Sequence, residues 1–505
     1  MRRTLEIMDT TLRDGEQTSG VSFTAKEKLT LAKLLLQELN IDRIEIASAR
    51  VSDGEFNAVK EITHWAKENK CIERIEVLTF VDGGTSIEWM KKSGAKVQNL
   101  LTKGSLNHLT HQLKLTPKAH FLQIGNCIKN AKVEGILTNV YLEDWSNGMQ
   151  FSEEYVLDFI SFLSTQPIER VLLPDTLGVL TPEKTKQYLT AILSQFPTMR
   201  FDFHGHNDYD LGVANSMEAA KVGVNGLHLT VNGMGERAGN APLASVVAVI
   251  NDFIPEIELN IRESSLFKVS QLVATLTGFR IPVNKPIVGE NVFTQTAGIH
   301  ADGDQKKNLY FNDLLPERFG RKRKYALGKT SGKANIQKNV QELGLTLTDD
   351  ELKKVTQRII ELGDKKEQVT AEDLPFIISD VMGNQVPDKV KIQSYVLTHS
   401  KGLRPTTSIS VEINGKKFEE NASGDGQYDA FWNALKKIYT YQKQDLPDLV
   451  DYAVRIPPGS NSDALCETSI TWKGNGREFT TRGLDSDQTV SAIKATEKML
   501  NLIQK

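Results

Sequence analysis

The sequence predicts an α/β protein with an N-terminal TIM (β/α)8 barrel, a helical linker region and a C-terminal α+β domain. In the first half, short β-branched or apolar runs alternate with amphipathic helical stretches, and eight such units are complete by about residue 250. From about residue 265 the pattern changes to mixed helices and loops, and from about residue 384 to alternating strands. We therefore expect domains at 1–265, 266–383 and 384–505.

The strand-like runs of the first half are short and bounded by turn or helix signals. They are 5–8, 43–48, 74–80, 97–102, 136–143, 170–175, 200–204 and 226–231. Segments between them, such as KEKLTLAKLLLQEL and TKQYLTAILSQF, carry apolar residues at three- and four-residue intervals, as helices packed on a sheet do. Eight strand-then-helix units match a closed barrel, and an open doubly wound sheet is the structural alternative.

Composition favours an enzyme of the cytoplasm that acts on small molecules. The chain has 505 residues, which is too long for one hydrophobic core. A net charge of -3 gives no electrostatic reason to expect nucleic acid or an anionic membrane as a partner. The three cysteines lie far apart without metal-ligand or redox spacing, which indicates a reducing compartment. No apolar run approaches the roughly 20 residues that cross a bilayer.

Polar residues follow three of the predicted strands, at the barrel end where TIM-barrel enzymes carry their function. The first strand runs into DTTLRDGEQ, the seventh into FHGHND, and the eighth into NGMGERAGN. His204 and His206 are two residues apart, so in extended backbone their side chains share a face. Strands 1, 7 and 8 become neighbours once a barrel closes. We therefore expect Asp14, His204 and His206 to bind a metal, with the amide oxygen of Asn240 as a further ligand.

Two imidazoles, one carboxylate and one amide oxygen form a mixed nitrogen and oxygen donor set. This set suits Zn²⁺ or Mn²⁺, with Mg²⁺ as a third candidate, and it leaves coordination positions for substrate or water. Each sequence segment that contributes a ligand also has an alternative interpretation when it is considered alone. The His-Gly-His segment is compatible with an ordinary core or surface pair, and Arg-Asp-Gly with a turn that holds an internal salt bridge. Their joint placement on strand ends 1, 7 and 8 favours the metal site.

Four segments carry a resemblance to a known enzyme family. They are DTTLRDGEQ, FHGHNDYDLG, NGMGERAGNAPL and TQTAGIHADG. They resemble the signature segments of the 2-isopropylmalate synthase, homocitrate synthase and citramalate synthase family, and the resemblance runs along essentially the whole chain. It implies a metal-dependent acyltransferase that condenses acetyl-CoA with a small 2-keto acid, working as a homodimer.

The resemblance also implies roles for individual residues. Arg13 would stabilise the developing oxyanion, and Thr176 would hold the carboxylate of the keto acid. Glu143 and His300 would serve acid/base roles, with Tyr310 nearby. An imidazole suits removal of the acetyl methyl proton, so His300, supported by Glu143, is the preferred base, although either residue can hold that role. The resemblance leaves open whether His300 acts in its own subunit or in the partner.

The keto acid is predicted from the second and third strand ends, IEIASAR and VLTFVD. Isopropylmalate-type synthases usually carry glycine-phenylalanine-proline and histidine-threonine-phenylalanine segments there. The segments IEIASARVS, LLTKGSLNH and NVYLEDWSNG instead resemble the citramalate synthase branch. If Leu78, Leu101 and Tyr141 point inward, they fill the space of an isopropyl group, so that pyruvate fits and 2-ketoisovalerate clashes. Ordinary barrel-core packing is the alternative interpretation of these three residues.

The C-terminal segments GDGQYDA and DYAVRIPP resemble the regulatory domain of the same family. By that resemblance Tyr428, Asp429, Tyr452, Ile456 and Cys466 would surround a branched-chain amino acid. Isoleucine is the leading candidate, as a feedback inhibitor of isoleucine biosynthesis. The alternative is that these residues form the core of the domain or a dimer seam.

Other enzyme classes fit part of the pattern. Lyases and aldolases share the barrel and the metal, but the lyases are expected to carry a cysteine in the loop after strand 8, and NGMGERAGNAP has none. Within the synthases, 2-isopropylmalate synthase and homocitrate synthase are the alternatives. A catalytically silent amino-acid sensor is a third class, which the complete set of motif residues disfavours.

Weaker assignments concern residues outside these sets. Glu16, Gln17 and Asp208 are expected to orient ligands of the site. No role is assigned to the six histidines without an evident partner in the sequence, which are His64, His108, His111, His120, His228 and His399.

Overall fold

The computed structural model describes residues 2–305, 309–342, 346–364, 369, 371–382, 389–455, 466–474 and 477–504. The chain divides into two compact units. One comprises Met1–Phe293 and Phe311–Arg323, and the other comprises Thr294–Tyr310 and Lys324–Lys505. Among the described residues, no helix has the length and the apolar character needed to cross a membrane.

Eight parallel strands close into a barrel in the first unit. They are β1 (Glu6–Asp9), β2 (Arg43–Ser48), β3 (Ile75–Phe80), β4 (Val97–Lys103), β5 (Leu137–Glu143), β6 (Arg170–Asp175), β7 (Phe201–Gly205) and β8 (Gly226–Leu229). Strand β8 pairs with β1 through Met8 and His228, which closes the ring and leaves no sheet edge. The predicted (β/α)8 barrel is confirmed, and the open sheet is excluded.

The strand bounds follow the sequence pattern closely. Strands β2 and β6 coincide with the predicted runs, and the others differ by one or two residues. The largest difference is at β8, which ends at Leu229 because a 3-10 turn, Val231–Gly233, follows directly. Asn232 in that turn has a φ of 60°, which an extended strand does not allow.

A helix follows each barrel strand on its outer side. These are α1 (Ala25–Lys33), α2 (Asp53–Glu68), α3 (Thr85–Ser93), α4 (Pro117–Val133), α5 (Glu153–Leu163), α6 (Pro182–Gln195), α7 (Gly212–Val222) and α8 (Leu243–Phe253). Two of them begin at a Thr-Pro pair, in which the threonine hydroxyl caps the helix and the proline occupies its first turn. Apolar side chains from the strands and the helices form the main core between the two layers.

The inside of the barrel is polar at its N-terminal end and apolar in the middle. Arg43 contacts the carboxylates of Glu6, Glu76 and Asp202, and Arg170 contacts Glu6 and Asp202. A smaller apolar cluster, separate from the main core, lies farther along the strands. Branched apolar residues dominate the interior of most TIM barrels, and the charged layer of this barrel departs from that pattern.

The remaining elements are helical and then mixed. The helices of this part are α9 (Leu266–Thr277), α10 (Gly298–Gln305), α11 (Lys333–Glu342), α12 (Asp349–Asp364) and α13 (Leu374–Met382). Leu266–Thr277 belongs to the first unit, and the others belong to the second.

The C-terminal part of the second unit contains two antiparallel sheets of three strands. The first is β9 (Val390–Thr398), β10 (Thr406–Ile413) and β11 (Lys416–Ser423), and the second is β12 (Asp448–Arg455), β13 (Cys466–Gly474) and β14 (Arg477–Asp485). Helix α14 (Gln427–Tyr441) packs on the first sheet and α15 (Gln488–Ile503) on the second. Both helices and the alternating strands agree with the predicted α+β architecture.

Candidate metal and substrate site

Asp14, His204 and His206 meet at the C-terminal end of the barrel, and all three are buried. His204 Nε2 lies 3.3 Å from Asp14 Oδ2, and His206 Nε2 lies 3.9 Å from the same oxygen. The turn after β1 brings Asp14 there, because the backbone N–H groups of residues 13, 14 and 15 all donate to the carbonyl of Thr10. The two imidazoles share the inner side of β7 and its extension, as their spacing predicts.

Asn240 joins this cluster from the loop after β8, where it forms an isolated bridge with His206. Its Nδ2 donates to the carbonyl of Met234 at 3.0 Å, whereas its Oδ1 is buried with no hydrogen-bond partner among the described residues. The loop needs glycine at 239, where φ is 82° and a Cβ would lie 1.9 Å from the Gly233 carbonyl oxygen. Because Asn240 Oδ1 is buried and has no hydrogen-bond partner among the described residues, it is available to a ligand.

The electrostatics of the cluster favour a bound cation. Burial alone would raise the pKa of Asp14, but the Arg13 guanidinium and the two imidazoles hold that pKa well below its usual range. Burial, with His204 adding to it, lowers the pKa of His206 to about 4. At neutral pH the cluster thus offers a carboxylate and a neutral imidazole, which are the forms that coordinate metals. Together with the buried Oδ1 of Asn240, this donor set fits a divalent cation such as Zn²⁺ or Mn²⁺.

Arg13 is held beside the cluster by Glu45, a residue of β2 that the sequence analysis did not single out. Its Nε donates to Glu45 Oε2 at 2.7 Å, and its Nη1 lies 3.5 Å from Asp14 Oδ2. Glu45 also accepts from the Thr10 hydroxyl at 2.7 Å and from the Asn99 amide at 2.8 Å. The signal available in the sequence was an acidic residue in the middle of the apolar run RIEIAS.

The three predicted pocket residues lie together. Leu78 and Tyr141 form the small apolar cluster inside the barrel, and Leu101 packs against it. Leu172 of β6 also belongs to it, although the sequence analysis did not name this residue. The Tyr141 ring lies edge-on to the ring of His204, with 6.1 Å between centroids, so the apolar cluster adjoins the metal-ligand candidates.

Glu143 lies at the end of β5, and Lys103 lies at the end of the neighbouring β4. The two side chains form an ion pair. Lys103 was missed by the sequence analysis, but it continues the inward-facing series of Asn99 and Leu101 at two-residue spacing. The barrel therefore presents a charged pair in the layer above the apolar cluster.

Thr176 follows β6 and accepts a hydrogen bond from the backbone N–H of Asp144 at 2.9 Å. Arg237 donates to the Thr176 carbonyl at 2.7 Å and makes a bidentate pair with Asp208, at 2.7 and 3.0 Å. Asp208, expected to orient a ligand, contacts this arginine. The pair links the loops that follow β6, β7 and β8.

Two histidines that were assigned no role have buried partners, because residues distant in the chain meet inside the fold. His228 Nδ1 lies 2.9 Å from the Tyr141 hydroxyl. His120 Nδ1 lies 3.0 Å from the Tyr155 hydroxyl. Neither partner was evident from the sequence.

His300 and Tyr310 lie in the second unit. Their rings are in contact, with 4.3 Å between centroids. The predicted proximity of the tyrosine to the histidine therefore agrees with the structure, while the acid/base role of His300 stays a prediction.

The predicted regulatory residues are only partly grouped. Tyr428 on α14 and Tyr452 on β12 have ring centroids 5.2 Å apart, and the Tyr428 hydroxyl lies 2.7 Å from Thr496 Oγ1. The Asp429 carboxylate accepts from the backbone N–H of Asp425 at 2.8 Å, and Cys466 is buried at the start of β13. Ile456 lies outside the described residues.

Comparison with known proteins finds family matches for most of the chain. Residues 4–273 match the HMGL-like family, residues 287–367 the homocitrate synthase post-HMGL domain-like family, and residues 368–504 the LeuA allosteric (dimerisation) domain. The chain is 34% identical over 501 residues to a probable 2-isopropylmalate synthase of Methanopyrus kandleri, covering 98% of each. It is 32% identical to a putative (R)-citramalate synthase CimA of the same organism, covering 92% of this chain and 89% of that protein. The (R)-citramalate synthase CimA of Methanocaldococcus jannaschii is 31% identical, over 99% of both. These identities do not separate the two activities.

Proposed function

The chain belongs to the HMGL-like, 2-isopropylmalate synthase family, and we propose that it condenses acetyl-CoA with pyruvate and water to give (R)-citramalate and CoA. The observation that carries the choice of pyruvate is the apolar cluster of Leu78, Leu101, Tyr141 and Leu172, packed inside the barrel next to the metal-ligand candidates. An apolar cluster packed beside a polar site leaves little room for a side chain, which suits a keto acid whose side chain is a methyl group.

A divalent cation held by Asp14, His204, His206 and Asn240 would supply Lewis-acid polarisation of the substrate ketone. Arg13 acts on the same oxygen. Glu45 fixes the guanidinium of Arg13 beside the metal-ligand candidates, so the positive charge is already in place before the reaction. This charge stabilises the negative charge that develops on the ketone oxygen as the new bond forms. Burial would lower the pKa of Arg13, but Glu45 and Asp14 raise it above its usual range, so the group stays charged.

The carboxylate of the keto acid would be held by Thr176. Its hydroxyl oxygen already accepts from the Asp144 N–H, which leaves its own hydrogen available for donation to the substrate. The Arg237–Asp208 pair contributes indirectly, because Arg237 also donates to the Thr176 carbonyl and so fixes that loop.

Carbon–carbon bond formation needs a base. We assign this role to His300, supported by Glu143, whose carboxylate is held at the end of β5 by Lys103. The base removes a proton from the acetyl methyl group, and the resulting carbanion attacks C2 of pyruvate while the ketone oxygen takes up a proton. Water then cleaves the thioester, which releases the carboxylic acid and the thiol of CoA.

Discrimination against larger keto acids would follow from packing. A branched side chain placed against Leu78, Leu101, Tyr141 and Leu172 overpacks the space, which costs roughly 1 to 3 kcal/mol. That cost corresponds to a preference of about tenfold to over a hundredfold for the smaller substrate.

The C-terminal part would bind the regulatory amino acid, with isoleucine as the candidate, and join two chains in a homodimer. The match of residues 368–504 to the LeuA allosteric (dimerisation) domain supports this. Calorimetric titration with isoleucine and leucine tests it. Absence of heat from both, with unchanged activity, contradicts the regulatory assignment.

A thiol-release assay with acetyl-CoA tests the main proposal, using pyruvate, 2-ketoisovalerate and 2-ketoglutarate as acceptors. We expect CoA release with pyruvate at the highest kcat/KM, lost after chelation and restored by Zn²⁺ or Mn²⁺. The second candidate is 2-isopropylmalate synthase, which the 34% identity to the probable 2-isopropylmalate synthase of Methanopyrus kandleri favours. A preference for 2-ketoisovalerate would establish it instead, and no turnover with any acceptor would remove both.

A further inference from the structure

A line of three buried polar groups runs beneath the metal-ligand candidates. The Tyr141 hydroxyl lies 2.9 Å from His228 Nδ1, and His228 Nε2 lies 3.3 Å from Asp202 Oδ2. The three residues are 3%, 1% and 0% exposed. Asp202 in turn contacts the guanidinium groups of Arg43 and Arg170, which belong to the charged layer at the N-terminal end of the barrel.

The hydrogen bond to Asp202 has one possible direction. Asp202 contacts the guanidinium groups of Arg43 and Arg170, and a carboxylate in such pairs only accepts, so His228 Nε2 carries the hydrogen of this bond. The second bond joins His228 Nδ1 to the Tyr141 hydroxyl, which can donate or accept.

This bond fixes a ring that spans part of the barrel interior. Tyr141 lies on β5 and His228 on β8, with β6 and β7 between them. In register, Tyr141 pairs with Leu172, which pairs with Asp202, two residues before His204. The ring therefore lies in the layer next to His204, and the Arg13 guanidinium carbon is 5.9 Å from its centroid.

The hydrogen bond to His228 restricts the orientation of the Tyr141 ring more than its apolar contacts do. Leu78 and Leu172 offer surfaces without direction, whereas a hydroxyl bond at the far end of the ring fixes both side-chain torsions. Loss of that bond would let the ring move, and the space beside the ketone would then change in size.

We propose that His228, oriented by Asp202, is a positioning residue for keto-acid selectivity, because it fixes Tyr141 across the space that receives the substrate side chain. The inference rests on the proposed function and deepens it. His228 touches no substrate and acts through the tyrosine. A purely structural histidine in the same place would affect stability without affecting the choice of substrate.

The experiment compares kcat/KM for pyruvate and for 2-ketoisovalerate in H228L, Y141F and the double variant. H228L and Y141F each remove one end of the bond, so each is expected to lower the pyruvate preference by about tenfold, with no further loss in the double variant. H228Q retains an acceptor and is expected to restore at least half of the lost preference on a logarithmic scale. Metal content by mass spectrometry is expected to equal that of the parent protein in all four variants.

The matched control is H120L, which breaks a buried histidine–tyrosine pair of similar length outside the barrel interior. Its pyruvate preference is expected to stay within twofold of the parent value. If H228L is too unstable to purify, the ratio of kcat/KM for pyruvate and 2-ketoisovalerate in Y141F alone tests the proposal. A pyruvate preference within twofold of the parent value in either variant overturns the proposal. Turnover of neither keto acid by the parent protein would overturn the proposed function as well, which distinguishes the two failures.

Discussion

The carboxylate oxygen Oε2 of Glu45 accepts from Arg13 Nε at 2.7 Å and lies 2.6 Å from Arg13 Nη2, so one buried oxygen holds two nitrogens of the guanidinium. The glutamate is 0% exposed and is itself fixed by Thr10 and Asn99. An arginine held in this way keeps its position whether or not substrate is present. In the proposed reaction this preorganisation, and not the charge alone, makes Arg13 effective.

Glu45→Gln tests this relationship. The amide keeps the shape of the side chain but loses the charge that orients Arg13, so kcat is expected to fall by roughly 10- to 1000-fold with a smaller change in KM. Steady-state kinetics with pyruvate and acetyl-CoA provides the measurement. The matched control is Glu76→Gln, which weakens a similar buried pair with Arg43 in the charged layer of the barrel. Equal kcat values in the two variants would contradict the positioning role.

Asn240→Ala tests the fourth metal-ligand candidate. Its Oδ1 is buried without a partner among the described residues, and its Nδ2 is already bound to Met234. Removal of the amide is expected to weaken divalent-metal affinity by about 10- to 100-fold, measured by competition with a chelating dye. Asn215→Ala is the control, because its Oδ1 is also buried and unpaired in the described structure while its Nδ2 donates to the Leu180 carbonyl. Equal metal affinities in the two variants would exclude Asn240 as a ligand.

Much of this arrangement was predictable from local patterns. The polar segments after the first, seventh and eighth strands predicted the grouping of Asp14, His204 and His206, because strand ends of a closed barrel are neighbours. Strand-end position also predicted the grouping of Leu78, Leu101 and Tyr141.

The contacts that were missed depend on the curvature of the barrel. Tyr141 and His228 are 87 residues apart and belong to strands that do not pair, so no local pattern connects them. Glu45 and Leu172 lie in the middle of strands, where inward and outward positions alternate and a single residue carries little signal. Their significance follows only from what faces them inside the closed barrel.

Leu172→Ala tests the apolar cluster as a substrate pocket, since it opens space beside Leu78 and Tyr141. Activity with 2-ketoisovalerate relative to pyruvate is expected to rise about tenfold or more. Leu173→Ala is a close control, because the next residue on the same strand is equally buried but belongs to the outer core. Both variants are expected to lose roughly 2 to 5 kcal/mol of unfolding free energy. A shift in selectivity of similar size in Leu173→Ala would exclude a specific pocket.

Tyr141→Ala is the larger change at the same place. It removes a ring that contacts both His204 and His228, so relative activity towards bulkier keto acids is expected to rise further than in Leu172→Ala. Steady-state assays with pyruvate, 2-ketoisovalerate and 2-ketoglutarate provide the comparison. Unchanged selectivity in this variant would contradict the assignment of the cluster to the substrate side chain.

His120 predicts how the stability of the barrel unit depends on pH. Tyr155 donates its hydroxyl hydrogen to the Lys103 carbonyl at 2.8 Å, so its oxygen accepts from His120 Nδ1–H, and Nε2 stays buried without a partner in the described structure. Burial lowers the pKa of His120 to about 4, from the 6.5 of a solvent-exposed imidazole. Between these two values the unfolded chain binds the proton and the folded chain does not. The free energy of unfolding is therefore highest above pH 6.5, and it falls by roughly 3 kcal/mol at most as the pH falls to about 4.

Urea unfolding of the parent protein and of His120→Phe at pH 8 and pH 5 measures this change, since the variant lacks the titrating group. A parent protein that loses no more free energy of unfolding than the variant between the two pH values would show that His120 is protonated, or exposed, in the folded state.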